Sequence, residues 1–255
     1  MLKAIVQNVS PKINQCELTF LKREPIDYEK GVRQHQAYCA LLEKCGVEVV
    51  YLTSNSDYPD ATFVEDTAIV FDEIAIIASM GAASRRKEVA AIERELSQYR
   101  KIVHIEPPAT LEGGDVVCLG STVFVGLTKR TNEAGIKALK KLIQRYDYEV
   151  VPVHLEHCLH LKSACTALSD RSLLVNPEWV DITPFAEFNV ITIAENEPWA
   201  ANAIRINDTV CLHSLFPETA QHILDLDFKV ETVDISEFLK AEGGMSCLSL
   251  RFETT

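Results

Sequence analysis

An α/β fold built as a closed ring of five strand, strand, helix, strand repeats is predicted by three features of this 255-residue sequence. A tight polar turn between two strand-like runs recurs at Asp72-Glu73, Gly120-Ser121, Asp170-Arg171 and Asn207-Asp208, roughly 48, 50 and 37 residues apart, a spacing proper to repeat architectures. Around each turn the apolar pattern alternates at period two and then changes to a helical period, always in the same order. The chain ends supply the halves of a fifth repeat, and pairing a strand at 245–252 with one at 4–9 would close the ring and remove exposed sheet edges. Without that closure, the same pattern describes an ordinary open α/β sheet.

From the start, 4–9 reads as a strand, and a polar loop with Pro11 and Pro25 leads to a helix over 28–44 that Gly46 terminates. A β-branched strand follows at 47–52, and Pro59-Asp60 marks a turn. The first full repeat is strand 63–71, strand 74–79, helix 84–99 and strand 102–106. The second runs 116–119, 123–127, helix 131–146 and 149–153. The third is 160–168, 173–176, a weak helix at 184–188 and 190–193, and the fourth is 203–206, 209–213, helix 217–226 and 230–233. In the closing strand, period two sets Leu248, Leu250 and Phe252 on one face and Met245, Cys247, Ser249 and Arg251 on the other. No break in composition divides the chain, so residues 1–255 are expected to form one domain.

With 47% hydrophobic and 24% charged residues the composition is that of a globular protein. Twenty-five basic against 37 acidic residues give a net charge of −12. A phosphate backbone would be repelled, so nucleic acid is not an expected partner, and cationic small molecules are mildly favoured. Eight scattered cysteines without a CxxC pair suit a reducing compartment. No leader-like segment is visible, and the longest nearly apolar run, 74–83, is about half of a membrane span. A cytoplasmic protein without membrane contact is expected; a homo-oligomer is compatible with the sequence. Neither a P-loop nor GxGxxG is present, which leaves nucleotide binding without support.

If the repeats are equivalent, the positions that open their first strands face a common axis. Those positions hold Asp66, Glu112, His160, Asn202 and Cys247. A thiol, an imidazole and carboxylates are what nucleophilic catalysis requires: the thiolate attacks, the imidazole moves protons and a carboxylate orients charge. Singly, each has a plainer reading, Cys247 as a buried core thiol, His160 as a core histidine and Glu112 as part of a surface turn. Ser84-Arg85-Arg86-Lys87 and Lys129-Arg130-Thr131-Asn132 lie at loop-to-helix joints, where an arginine fork can grip a ligand carboxylate or simply be solvated. The segment His154 to His160 carries metal-ligand residue types, but as a strand it would hold its end histidines about 20 Å apart, too far for one ion. No metal is expected.

Seven segments together, Pro59-Asp60, Phe63-Val64-Glu65-Asp66, Ser84-Arg85-Arg86, Leu111-Glu112-Gly113-Gly114-Asp115, Arg130-Thr131-Asn132, Leu159-His160-Leu161-Lys162 and Gly243-Gly244-Met245-Ser246-Cys247, give the chain a resemblance. It resembles the dimethylarginine dimethylaminohydrolases of the guanidino-group-modifying (amidinotransferase) superfamily, departing from them at Thr67, Ser79-Met80 and Lys87. The resemblance implies a five-bladed α/β propeller, or pentein. It further implies Cys247 as nucleophile, His160 as general acid and base, and Glu112 as the carboxylate beside them. Asp66 would hold a guanidinium, Arg85 and Arg130 an α-carboxylate, and Asp60, Glu65 and the backbone at Leu18 and Ala241 the amino-acid end. The implied reaction turns asymmetric dimethylarginine into citrulline and dimethylamine through a covalent thiouronium, with no cofactor. Hydrolysis of arginine or citrulline, amidino transfer, a non-enzymatic binder of cationic amino acids and a metal-dependent hydrolase are the competing readings.

Overall fold

The structure is a computed structural model and describes residues 1–254. Its strands form five three-stranded sheets, each corresponding to one repeat. β1 (Leu2–Gln7) is followed by α1 (Tyr28–Lys44) and β2 (Glu48–Leu52). The next sheet contains β3 (Ala68–Val70), β4 (Ile74–Ile77), then α2 (Val89–Leu96) and β5 (Lys101–His104). β6 (Val116–Leu119), β7 (Thr122–Leu127), α3 (Glu133–Ile143) and β8 (Glu149–His154) repeat the order. The single-turn α4 (Leu161–Ala164) leads into β9 (Cys165–Ser169), β10 (Ser172–Val175) and β11 (Asn189–Thr192). β12 (Ile204–Ile206), β13 (Thr209–His213), α5 (Pro217–Leu224) and β14 (Lys229–Val233) make the fourth full repeat. After α6 (Ser236–Leu239), β15 (Leu250–Glu253) pairs antiparallel with β1, setting Leu2 opposite Glu253 and Ile5 opposite Leu250. The fifth, split repeat is thus β15-β1-β2.

One pairing rule holds in all five sheets: the first strand runs antiparallel to the second, and the second parallel to the third. A tight turn suffices for the antiparallel step, whereas the parallel one needs a crossover connection. β6 packs beside β9, β9 beside β12 and β15 beside β3, so the first strands line the axis. α1 matches its expected bounds because both ends are specified locally. The Asp27 side chain accepts from the Lys30 N–H, and Gly46 takes φ +85° just beyond the last turn. Its buried face carries Tyr38, Cys39, Leu41 and Leu42 into the core below β1, and the Tyr38 hydroxyl lies 2.6 Å from Ser249 Oγ, tying the helix to the closing segment.

Three expected strands begin as something else. Residues 63–71, 160–168 and 245–252 open with single helical turns, Val64–Thr67, Leu161–Ala164 and Ser246–Leu248, and Gly113–Asp115 forms the matching turn before β6. Local hydrogen bonds close them, among them Asp115 N to Glu112 O at 3.1 Å and Ser163 N to His160 O at 3.0 Å. The period-two assignment of Cys247 fails for that reason: it sits in a turn, not on a pleat. The expected helix 84–99 divides into a turn, Ala83–Arg85, and α2, because Arg85 is drawn into a buried ionic network. The weak helix 184–188 is only the turn Thr183–Phe185, in the shortest repeat. Among the described residues no helix is long and apolar enough to cross a membrane.

Candidate active site

The turns that open the inner strands meet at one end of the axis. Val64–Thr67 packs against both Gly113–Asp115 and Ser246–Leu248, and α4 packs against Gly113–Asp115. His160 is fixed there between two carboxylates, with Nε2 2.8 Å from Glu112 Oε2 and Nδ1 3.6 Å from Asp66 Oδ1. Glu112 is held in turn by the Gly81 N–H on Oε1 at 2.9 Å. Cys247 lines the same narrow cleft as Asp66, His160, Arg85 and Arg130. Asn202 supports the turn that carries Cys247 instead, accepting from Ser246 N at 2.9 Å and donating to Lys162 O. Such close approach excludes side chains at two glycines: a Cβ on Gly114 would lie 2.6 Å from Asp66 Oδ1, and one on Gly244 2.3 Å from the Asn202 amide.

The electrostatics follow from burial. Desolvation by itself would lower the His160 pKa, but Asp66, Asp115 and the hydrogen-bonded Glu112 outweigh it and hold the ring at about 9. Burial pushes Asp66 and Glu112 upward, yet the imidazolium and Arg85 prevail, and both end below the ordinary carboxylate range. The neutral pH state is therefore an imidazolium between two carboxylates. Burial, reinforced by the Asp66 and Glu65 charges, pushes the Cys247 thiol up to about 12, against a Gly244 N–H donated to its sulfur at 3.3 Å. At rest Cys247 is a thiol, and a cation placed in the cleft would favour the thiolate.

Arg85 and Arg130 reach the cleft differently. Arg85 is buried and largely committed: Nη1 to Asp66 Oδ2 at 2.6 Å, Nη2 to Glu88 Oε2 at 3.0 Å and to Phe63 O at 3.0 Å. Arg130 is also buried, but its Nη1, 3.5 Å from Glu112 Oε1, has no hydrogen-bond partner among the described residues. Asp66 Oδ1 is likewise unsatisfied. One narrow cleft thus contains an open anionic acceptor and an open cationic donor. Asp66, Glu112 and His160 offer donor atoms within 4.8 Å of one another, a spacing a metal could use. Two guanidinium groups already supply the countercharge, however, and the Glu112–His160 bond occupies one ring nitrogen. His154 and His157 are exposed while His160 is buried, so the histidine-rich segment does not converge.

The remaining expected residues divide between two faces. Asp60 lines the cleft, but both its oxygens accept from the Glu17 N–H, at 3.1 and 3.2 Å. Ala241 lines it too, and Leu18 lies in the segment that Asp60 anchors. Glu65 points away, to Lys162 Nζ at 2.8 Å and to the Ser246 hydroxyl, because successive residues of a helical turn diverge by roughly 100–120°. Sequence reasoning missed Glu242. Its buried carboxylate accepts the backbone N–H groups of Thr19, Phe20 and Leu21, pinning that segment beside Ala241 and Gly243. Nothing in the local sequence marks this role, since the three donors lie more than two hundred residues away along the chain.

A family model described as "N,N dimethylarginine dimethylhydrolase, eukaryotic" matches residues 3–250. The N(G),N(G)-dimethylarginine dimethylaminohydrolase of Pseudomonas aeruginosa is 37% identical over 228 residues, covering 89% of this chain and 90% of the relative. A solved cysteine-to-serine variant of the P. aeruginosa enzyme, complexed with citrulline, has a TM-score of 0.93 at 33% identity and 98% coverage of both chains. A histidine-to-glycine variant of dimethylarginine dimethylaminohydrolase, solved as an adduct with S-methyl-L-thiocitrulline, also has a TM-score of 0.93, at 34% identity, covering 98% of this chain and 99% of that one.

Two outcomes are expected from this geometry. The His160 pKa is raised on folding from 6.5 to about 9, so its stabilisation is complete below the lower value and lost as pH rises through the upper. Asp115, raised by burial to about 6, has largely titrated by pH 7, whereas Glu88, raised to about 7, is half ionised there, and the buried thiols, held up in the fold, ionise near pH 8.5 when unfolded, so these groups add a fall of the same sign. Of the fall in unfolding free energy between pH 7 and 9, measured in urea, His160 should supply on the order of 2 kcal/mol, and His160→Gln should make the slope shallower by about that amount; an unchanged slope in the variant would show that the imidazolium does not stabilise the fold. Glu242→Gln retains one acceptor oxygen for three donors. It should raise amide hydrogen exchange at Thr19 to Leu21 about tenfold or more, as the segment opens locally, whereas equal protection in both proteins would show that the carboxylate does not hold it.

Proposed function

The chain belongs to the dimethylarginine dimethylaminohydrolase family, and we propose that it hydrolyses N-omega-methylated arginines, converting asymmetric dimethylarginine to citrulline and dimethylamine. The observation that carries this reading is the pair of unsatisfied buried groups, Asp66 Oδ1 and Arg130 Nη1, in one cleft with Cys247 and His160. A buried polar group without a partner is costly. A ligand with a guanidinium at one end and a carboxylate at the other satisfies both. The guanidinium's planar donors suit the Asp66 carboxylate, and the α-carboxylate suits the Arg130 fork, to which Arg85 adds positive charge while fixing Asp66. Asp60 and Glu242 hold the 17–21 segment, with Leu18 in it, against Ala241 at the amino-acid end, and Glu65 acts from behind through Ser246.

The chemistry follows from the charge states. As the cation seats against Asp66, Cys247 releases its proton to solvent, and the thiolate attacks the guanidinium carbon to form a C–S bond. His160, already an imidazolium, gives its proton to the dimethylated nitrogen, the C–N bond breaks and neutral dimethylamine leaves. A cationic thiouronium remains on Cys247. The neutral His160 then takes a proton from water as its oxygen adds to the same carbon, and collapse of the adduct breaks the C–S bond, the hydroxyl proton passing to the departing sulfur, to give citrulline and the Cys247 thiol. Glu112 keeps the ring oriented through both transfers. In this reading the whole chain is one catalytic domain in the cytoplasm, its ligand a small cationic amino acid, and it draws on no cofactor.

The test is product analysis with asymmetric dimethylarginine, monomethylarginine, arginine and citrulline as separate substrates. Citrulline and dimethylamine should appear in equal amounts from the first, and Cys247→Ser should lower that rate at least 10⁴-fold, in line with loss of a nucleophile, without changing the circular dichroism. Turnover only of arginine or citrulline would move the substrate assignment, and near-normal turnover by Cys247→Ser would refute the mechanism.

A further inference from the structure

Behind the converging turns the five inner strands enclose a second cavity of about 230 Å³. No residue lines both this cavity and the catalytic cleft, although Glu65 and Asp66, or Ser246 and Cys247, are neighbours in the chain. Lys162, Arg205 and Arg251 contribute cationic side chains to the cavity, against one carboxylate, that of Glu65. Lys162 Nζ at 2.8 Å and Arg251 Nη2 at 3.5 Å share Glu65 Oε1, while its Oε2 accepts from the Ser246 hydroxyl. Among the described residues Arg205 has no carboxylate within ion-pair distance. Its Nε donates to Asn207 O at 2.7 Å, and its two Nη groups donate to no protein acceptor among those residues.

The lining therefore has two positive charges in excess, in a chain whose net charge is −12. Arg205 itself is exposed, yet cations gathered along one concavity focus their field on an anion more strongly than cations spread over a surface do. An excess of one sign that runs against the field of the whole molecule, with one guanidinium unpaired, is the electrostatic form of an anion site. The volume falls below the roughly 300–1,000 Å³ usual for drug-sized ligands, which limits the occupant to a small ion. Arg251 is committed through Nη1 to Ser246 O, Ser249 O and Ser249 Oγ, and we propose that this cavity binds a small oxyanion of the phosphate or sulfate type, with Arg205 as the principal donor. The proposal is independent of the hydrolase reading, since Arg205, which carries it, has no part in the site proposed above.

Cys118 is exposed and lines the cavity, which makes it a built-in reporter. The full-length protein is treated with the anionic sulfonatoethyl and the cationic trimethylammonioethyl methanethiosulfonate at constant ionic strength, and labelling is read peptide by peptide by mass spectrometry. Anion preference in the cavity should make the anionic reagent about fivefold or more faster at Cys118, with no such preference at Cys45, which lies outside it. Inorganic phosphate should slow labelling of Cys118 with saturation. Arg205→Gln should abolish both effects with basal turnover unchanged, and Arg205→Lys should retain them. Equal rates for the two reagents, protection that does not saturate, or saturable protection that survives Arg205→Gln would each overturn the proposal.

Discussion

An imidazolium clamped between two buried carboxylates is the interaction on which the rest of the site depends. His160, Glu112 and Asp66 are all nearly inaccessible to water, and each alone would be an expensive charge to bury. Together they are mutually compensating only while the geometry holds, because loss of one partner strands the others at a cost of about 3–5 kcal/mol. The surrounding structure is arranged around that condition. Arg85 and Glu88 brace Asp66, Gly81 holds Glu112, and Gly114 is left without a side chain where one would strike both Asp66 and His160. The ordering of the cluster fixes the proton inventory: a protonated ring ready to donate, and a thiol that needs a cation nearby to ionise.

The repeat explains how distant residues reach one point. Each inner strand starts from a short turn, and the ring brings those turns together at one end of the axis. A helical turn sends adjacent side chains in different directions, so one turn serves two surfaces. Asp66 and Cys247 face the cleft while their preceding neighbours, Glu65 and Ser246, meet behind it with Lys162. A pleated strand would have used alternate residues for the two faces, at nearly twice the rise per residue, and would have drawn the thiol away from the histidine's level. Pairing of β15 with β1 is part of the same device, since it sets the last turn, and Cys247 with it, in register with the other four.

Much of this was legible in the sequence. The recurring turns and the order of elements gave the five sheets, and α1 was bounded correctly because Asp27 and Gly46 are local signals that need no tertiary help. The equivalent repeat positions of Asp66, Glu112, His160 and Cys247 mark them in the sequence as one set. What escaped was set by contacts distant in sequence. The strands predicted from 63, 160 and 245 start as turns whose residues find polar partners in other repeats, His160 beside Asp66, Asp115 accepting from the Leu161 N–H and Asn202 from the Ser246 N–H, and apolar alternation carries no record of that. Arg85 read as a ligand fork, whereas most of its donors serve Asp66, Glu88 and a carbonyl. Glu242 was invisible for the same reason: a carboxylate's three backbone partners at 19–21 cannot be inferred from residues near 242.

The central claim is that the converging turns place Cys247, and no other of the eight cysteines, at the guanidinium carbon under the control of His160. The direct measurement is acid quenching during turnover of asymmetric dimethylarginine, followed by digestion and mass spectrometry of every cysteine peptide. A substrate-derived thiouronium is expected on the Cys247 peptide alone, and at a much lower level in His160→Gly, where the proton needed by the departing amine is no longer supplied. Turnover with no adduct in either protein, or an adduct on Cys16 or Cys158 instead, would contradict it.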